Sequence, residues 1–146
     1  MASSMRLWRK FKTFLAMGGP DRLLVCESTA MLALARLIVL TVPFRILARW
    51  LSRAPETDCC DQLLLVRVRR AVTTAARNVP WNAVCLPQAI AAKAMLRRRG
   101  IGSVLHFGVA KHRDHSLDAH AWLDAAGIGV TGFPVGSEFT EIACFV

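Results

Sequence analysis

A chain of 146 residues fits one compact domain, or one small domain with a helical extension, and excludes a second full catalytic domain. With 54% hydrophobic and 20% charged residues and only 9 Gly and 6 Pro, it reads as a packed globular protein, not a disordered, collagen-like or disulfide-scaffold one. The net charge of +9 suits an anionic or acidic partner, but it is unevenly placed: residues 1–80 carry +8 and residues 81–146 only +1. No zinc signature, helix-turn-helix pattern or interleaving of aromatic with basic residues accompanies that charge, so no nucleic-acid partner is expected.

Residues 21–51 are a long apolar stretch. Arg36 divides it into two runs of eight uncharged residues, Glu27 to Arg36 and Arg36 to Arg45, each short of the roughly 20 apolar residues a membrane span needs. A buried or partly buried helix is therefore expected, or two helices kinked near Pro43, with a peripheral membrane contact as the rival. Residues 52–60 have the polar and Pro content of a linker, with Asp58 or Asp61 available as a helix cap. The next helix is predicted over about 60–78, with Leu63, Leu64, Val66, Ala71 and Ala75 inward and Arg67, Arg70 and Arg77 outward. A third helix is predicted from Cys85. Pro87 suits its first turn, Ala91 to Leu96 are strong helix formers, Arg97 to Arg99 complement the C-terminal dipole, and Gly100 supplies the stop.

After Gly100 the pattern becomes extended. Strands are predicted over 103–109, 119–123, 128–133 and 139–146, with short connections that fit antiparallel pairing. Helices followed by short strands imply an α+β fold, with the helix starting at Cys85 packed on the sheet.

The five cysteines, Cys26, Cys59, Cys60, Cys85 and Cys144, are odd in number and irregular in spacing. The basic N-terminus is followed by an apolar run too short for an export signal, so a reducing, cytoplasmic setting is expected. Adjacent Cys59 and Cys60 lack the separation of zinc ligands, no second pair follows, and neither a metal nor a cofactor is expected.

Cys85 falls at a predicted helix N-terminus, where unsatisfied N–H groups and the dipole favour a thiolate. His120 falls in the predicted strand Ala119-His120-Ala121-Trp122-Leu123, where small neighbours allow close approach to another element. If that strand lies against the start of the Cys85 helix, a cysteine–histidine pair suited to covalent acyl transfer forms. The bland alternative is a buried thiol and an unrelated, satisfied histidine. The backbone N–H of Cys85 is a natural first oxyanion donor, and the side chains of Trp81 or Asn82 are candidates for a second.

The segments Cys85-Leu86-Pro87-Gln88-Ala89, Leu96-Arg97-Arg98-Arg99-Gly100-Ile101, His106-Phe107-Gly108-Val109 and Ala119-His120-Ala121-Trp122-Leu123 occur in this order. Together they resemble the stand-alone transglutaminase-like leader peptidases of lasso peptide biosynthesis. The apolar, Arg-containing helix of residues 22–51 is more weakly similar to the N-terminal part of those proteins. The resemblance implies N-terminal helices over 1–58 and a transglutaminase-like or papain-like cysteine protease core over 59–146. It implies Cys85 as nucleophile, His120 as base, and removal of a leader from a ribosomally made precursor. It also implies two partners: a separate leader-recognition protein and an asparagine-synthetase-like macrolactam synthetase that takes the product. An amide-transferring transglutaminase-like enzyme and a non-catalytic, membrane-associated helical binding protein are the alternative functions.

The family's third member is typically an aspartate on the next strand. If the hairpin turns around Ala126, position 132 faces His120, and it is glycine, with Thr131 beside it. Asp118, two residues before His120 on the same strand face, is the nearest acidic candidate. Asp124 is farther, roughly 13 Å along an ideal strand, and a carbonyl, Thr131 or a water are the other options. The basic helices, with Arg67, Arg70 and Arg77, are expected to form a docking face for an acidic segment of the precursor, the recognition partner or a membrane surface.

Overall fold

A computed structural model of the chain describes residues 8, 12, 14–53, 61–111 and 116–146. Four helices, α1 (Gly19–Thr41), α2 (Phe44–Leu51), α3 (Gln62–Ala76) and α4 (Cys85–Arg97), precede four strands, β1 (Val104–Lys111), β2 (Leu117–Ala125), β3 (Ile128–Thr131) and β4 (Thr140–Phe145). The strands form one sheet in the order β3-β2-β1-β4, every neighbouring pair antiparallel. The fold is α+β, with α4 laid on β2 and β3 as well as against α1 and α3. The expected boundary at residue 58 lies outside the described residues. So do Cys59, Cys60, His112 and His115, and the alternative cap Asp58.

The apolar stretch is two helices separated at Pro43. α1 is long and apolar enough to cross a membrane, with a mean hydropathy of 2.0 over its best window. In the fold it buries a stripe at helical spacing, Leu24, Val25, Ser28, Leu32 and Ala35, against α3 and α4, while Arg36 is exposed. The one hydroxyl in that stripe is satisfied, since Ser28 Oγ donates to the Leu24 carbonyl at 2.7 Å. Glu27 ties α1 to the end of α4 through Arg99 at 2.6 Å and Arg98 at 3.3 Å. The hydrogen bond from Arg99 and the two guanidinium charges hold the Glu27 carboxyl below the ordinary carboxylate range, against a smaller opposing effect of burial.

Helix α3 starts where the side chain of Asp61 accepts from the Leu64 N–H at 3.1 Å, the cap expected at that position. Its phase differs from the expectation. Leu65, Val68, Ala71, Val72 and Ala75 are buried, whereas Leu63 and Val66 are 69% and 45% exposed. The run Leu63-Leu64-Leu65-Val66 is apolar throughout and admits either phase. The cap and the packing of α1 and α4 select the one in which Leu65 and Val68 are inward.

Helix α4 is buried nearly all round because it lies between two helices and the sheet. Ala89, Ala91 and Ala92 keep its surface low enough for close approach on several sides. It ends as the sequence predicts: Gly100 N–H donates to the Arg97 carbonyl and Ile101 N–H to the Leu96 carbonyl, the paired bonds of a Schellman motif. One cation shares this interior. Lys93 is 2% exposed and its Nζ donates to the carbonyls of Ser103 at 2.5 Å and Phe145 at 3.1 Å, binding α4 to the end of the sheet where β1 begins and β4 finishes. Burial, with a smaller contribution from the Arg97 charge, lowers its pKa to about 8.

Candidate active site

Cys85 is the first residue of α4 and is half-buried. The preceding Val84 offers no side-chain cap and the first turn holds no acidic residue, so neither competes for the dipole at that end. Gln88, one turn further, anchors itself by donating from Nε2 to the Ala83 carbonyl at 2.5 Å. It lines an open cleft of about 450 Å³ whose opposite wall includes His120 and the segment from Val130 to Pro134. The structure thus brings Gln88 of the Cys85 helix and His120 to one cleft, whereas Cys85 itself is not among the residues that line it. No hydrogen bond joins the Cys85 thiol to the His120 imidazole.

His120 is fixed by the main chain. Its Nε2 lies 2.7 Å from the carbonyl oxygen of Gly132. A carbonyl can only accept, so Nε2 carries the proton and Nδ1 of the neutral ring is left as the acceptor. Gly132 has φ +77°, and a Cβ there would sit 2.5 Å from the Ala121 carbonyl oxygen and 2.8 Å from the Trp122 Cβ. The register shift between Leu123 and Asp124 carries Gly132 opposite Trp122 rather than His120; the backbone itself approaches β2 there, and the Gly132 carbonyl, one of the options the sequence left open, takes the place of the family's aspartate.

The acidic candidates lie elsewhere. Asp118 is exposed and makes no hydrogen bond to His120. Asp124 accepts from His106 Nε2 at 2.6 Å, and Glu141 on β4 lies 3.0 Å from His106 Nδ1. Thr131, 5% exposed, has a hydroxyl with no hydrogen-bond partner. Trp81 Nε1 is a second buried polar atom without a partner, four residues before Cys85, whereas Asn82 is engaged through its carbonyl by Arg36 at 3.5 Å.

The rings beside His120 form a continuous stack. Trp122 lies 6.0 Å from His120, centroid to centroid, and 5.4 Å from His106 with their planes only 5° apart. Phe139 covers His120 at 5.2 Å. Gly108 pairs with His120 across the sheet, and a Cβ on it would come within 2.8 Å of the Trp122 ring. The two carboxylates grip His106, His106 backs Trp122, and Trp122 backs His120. Sequence reasoning missed this brace and Gln88. The available signals were the period-2 spacing of His120, Trp122 and Asp124 and the one-turn spacing of Gln88 from Cys85.

Among the described residues Cys26 and Cys144 are free and exposed, and no cluster of side chains able to hold a metal is found. No curated protein and no solved structure matches the chain. A family model does: that of the transglutaminase-like superfamily, over residues 28–144. With that match running from within α1 to the end of β4, the chain belongs to the transglutaminase-like superfamily.

Proposed function

We propose that the protein is a cysteine peptidase that removes the leader from a lasso peptide precursor, with Cys85 as nucleophile and His120 as general base and then general acid. The observation that carries this reading is the 2.7 Å contact of His120 Nε2 with the Gly132 carbonyl, which leaves Nδ1 as the acceptor of the neutral ring on a residue that shares its cleft with Gln88 of α4. In the reaction, Nδ1 takes the Cys85 proton and the sulfur adds to the scissile carbonyl. The oxyanion is met by the Cys85 N–H and the unpartnered Trp81 Nε1–H. Collapse expels the leaving amine with the proton from the imidazolium, giving a thioester. His120 then deprotonates a water that attacks the thioester, and the acid product and the thiol are released.

In this reading the peptidase works with a separate recognition protein that raises the local precursor concentration. The product passes to an asparagine-synthetase-like macrolactam synthetase, all within the cytoplasm. The test is cleavage of a candidate precursor peptide taken from a neighbouring gene, in the presence of a candidate recognition protein, followed by mass spectrometry. Wild-type protein releases the leader, while Cys85→Ala and His120→Ala fall by at least about a thousandfold. Normal cleavage by either variant sinks the mechanism. If an added primary amine becomes joined to the product acyl group in preference to water, the enzyme is an amide transferase.

A further inference from the structure

The arginines around α3 and α4 differ in their partners, and Arg97 is held by the Trp50 carbonyl at 3.1 Å. Arg67 pairs with Asp21 at 2.8 Å, and Arg98 and Arg99 pair with Glu27. Arg69, Arg70 and Arg77 have no carboxylate partner among the described residues, and the one polar contact they make is from Arg69 to the Gly129 carbonyl at 3.3 Å. Helical spacing sets Arg70, Thr73 and Arg77 in one row on α3. That row lines a shallow groove of about 370 Å³, and Arg69, Thr73 and Arg77 continue into the cleft that holds His120. Neither the groove nor the cleft has an Asp or Glu in its lining. Uncompensated guanidinium groups beside a concave wall concentrate anionic ligands and offer forked donors for carboxylates.

We infer that this groove binds an acidic stretch of the substrate peptide, held by Arg70 and Arg77 next to the bond that is cut. The inference rests on the peptidase reading of the His120 cleft and adds the chemical class of its substrate. The span from Val66 to Arg77 is about 16 Å of helix, the length of roughly five residues of extended peptide. The acidic residues therefore lie within about five positions of the scissile bond. Arg67, expected from sequence to share this face, is taken by Asp21, and Arg69 stands in its place.

The probe is a fluorescein-labelled peptide of about five glutamates, compared by anisotropy with its all-glutamine analogue on the full chain. The wild-type protein and its Cys85→Ala variant should bind the glutamate peptide at least about tenfold tighter, with a preference that fades as salt rises. The double variant Arg70→Gln/Arg77→Gln should lose that preference while keeping its melting temperature and the iodoacetamide reactivity of Cys85, and Arg45→Gln should keep it. If the double variant fails to fold, each single variant should lose at least about half of the preference in free-energy terms. Equal binding of the two peptides, or full preference in the Arg70 and Arg77 variants, overturns the groove. Equally tight binding of an oligothymidylate of the same length overturns its assignment to acidic peptide. Acidic preference without precursor cleavage by the wild-type chain overturns the peptidase reading alone, and cleavage without acidic preference overturns the groove alone.

Discussion

Strand β2 has two faces, and they are held in place by different physics. Leu123 and Ala125 lie in the hydrophobic core with Leu105, Val130 and the residues of α4, stabilised by removal of apolar surface from water. His120, Trp122 and Asp124 alternate with them and are held by two directional hydrogen bonds and a row of stacked rings. The first face tolerates apolar substitutions that conserve volume. The second depends on orientation, so small displacements there alter chemistry before they alter stability.

Four changes probe this division. The largest loss of stability is expected from Leu123→Ala, about 2–5 kcal/mol in denaturant unfolding, with Cys85 reactivity per folded molecule unchanged. A loss below about 1 kcal/mol would mean that the inner face is not the load-carrying one. Lys93 probes the same interior by charge. The folded chain releases its proton near pH 8 and the unfolded chain near 10.5, so between these values the unfolded state binds more protons. Stability should therefore rise by up to about 3 kcal/mol as pH increases through that window, with the full cost of burying the cation present below it. Lys93→Met should flatten this dependence, and an unchanged slope would assign it to other groups.

Gly132→Ala probes the outer face. The added Cβ meets the Ala121 carbonyl at a left-handed φ, so about 2 kcal/mol of stability and at least tenfold in precursor cleavage should be lost. Near-normal cleavage would show that the carbonyl does not orient His120. The smallest effect is expected for Asp118→Asn, exposed and without a hydrogen bond to His120: less than about threefold in cleavage and under 0.5 kcal/mol in stability, as for ordinary surface positions. A hundredfold loss would restore Asp118 as the orienting residue.

Much of the scaffold was legible because its signals are local. The start of α4 at Cys85, its end before Gly100 and the break at Pro43 follow from turn and cap chemistry in short windows. The phase of α3 was not, since four consecutive apolar residues at its start leave the inward side to be decided by neighbours distant in sequence. The surroundings of His120 divide in the same way. The ring and its strand could be read from Ala119-His120-Ala121-Trp122. Its hydrogen-bond partner could not be identified, because the acceptor is a carbonyl whose position depends on the irregular pairing of β2 with β3. The link between His106 and Asp124 likewise appears only once β1 and β2 are in register, with His106 opposite Trp122 and diagonal to Asp124.

The Gly132 carbonyl carries a consequence for how such a site changes over generations. An acceptor borne by the backbone has no codon, so no single base change deletes it, and a scan that trims side chains passes over it unseen. Inheritance acts on it only through the turn that aims it, which is to say through the glycine that can follow that path. Replacing the amide that follows Gly132 by an ester weakens the carbonyl as an acceptor and removes the Phe133 N–H, while every side chain stays in place.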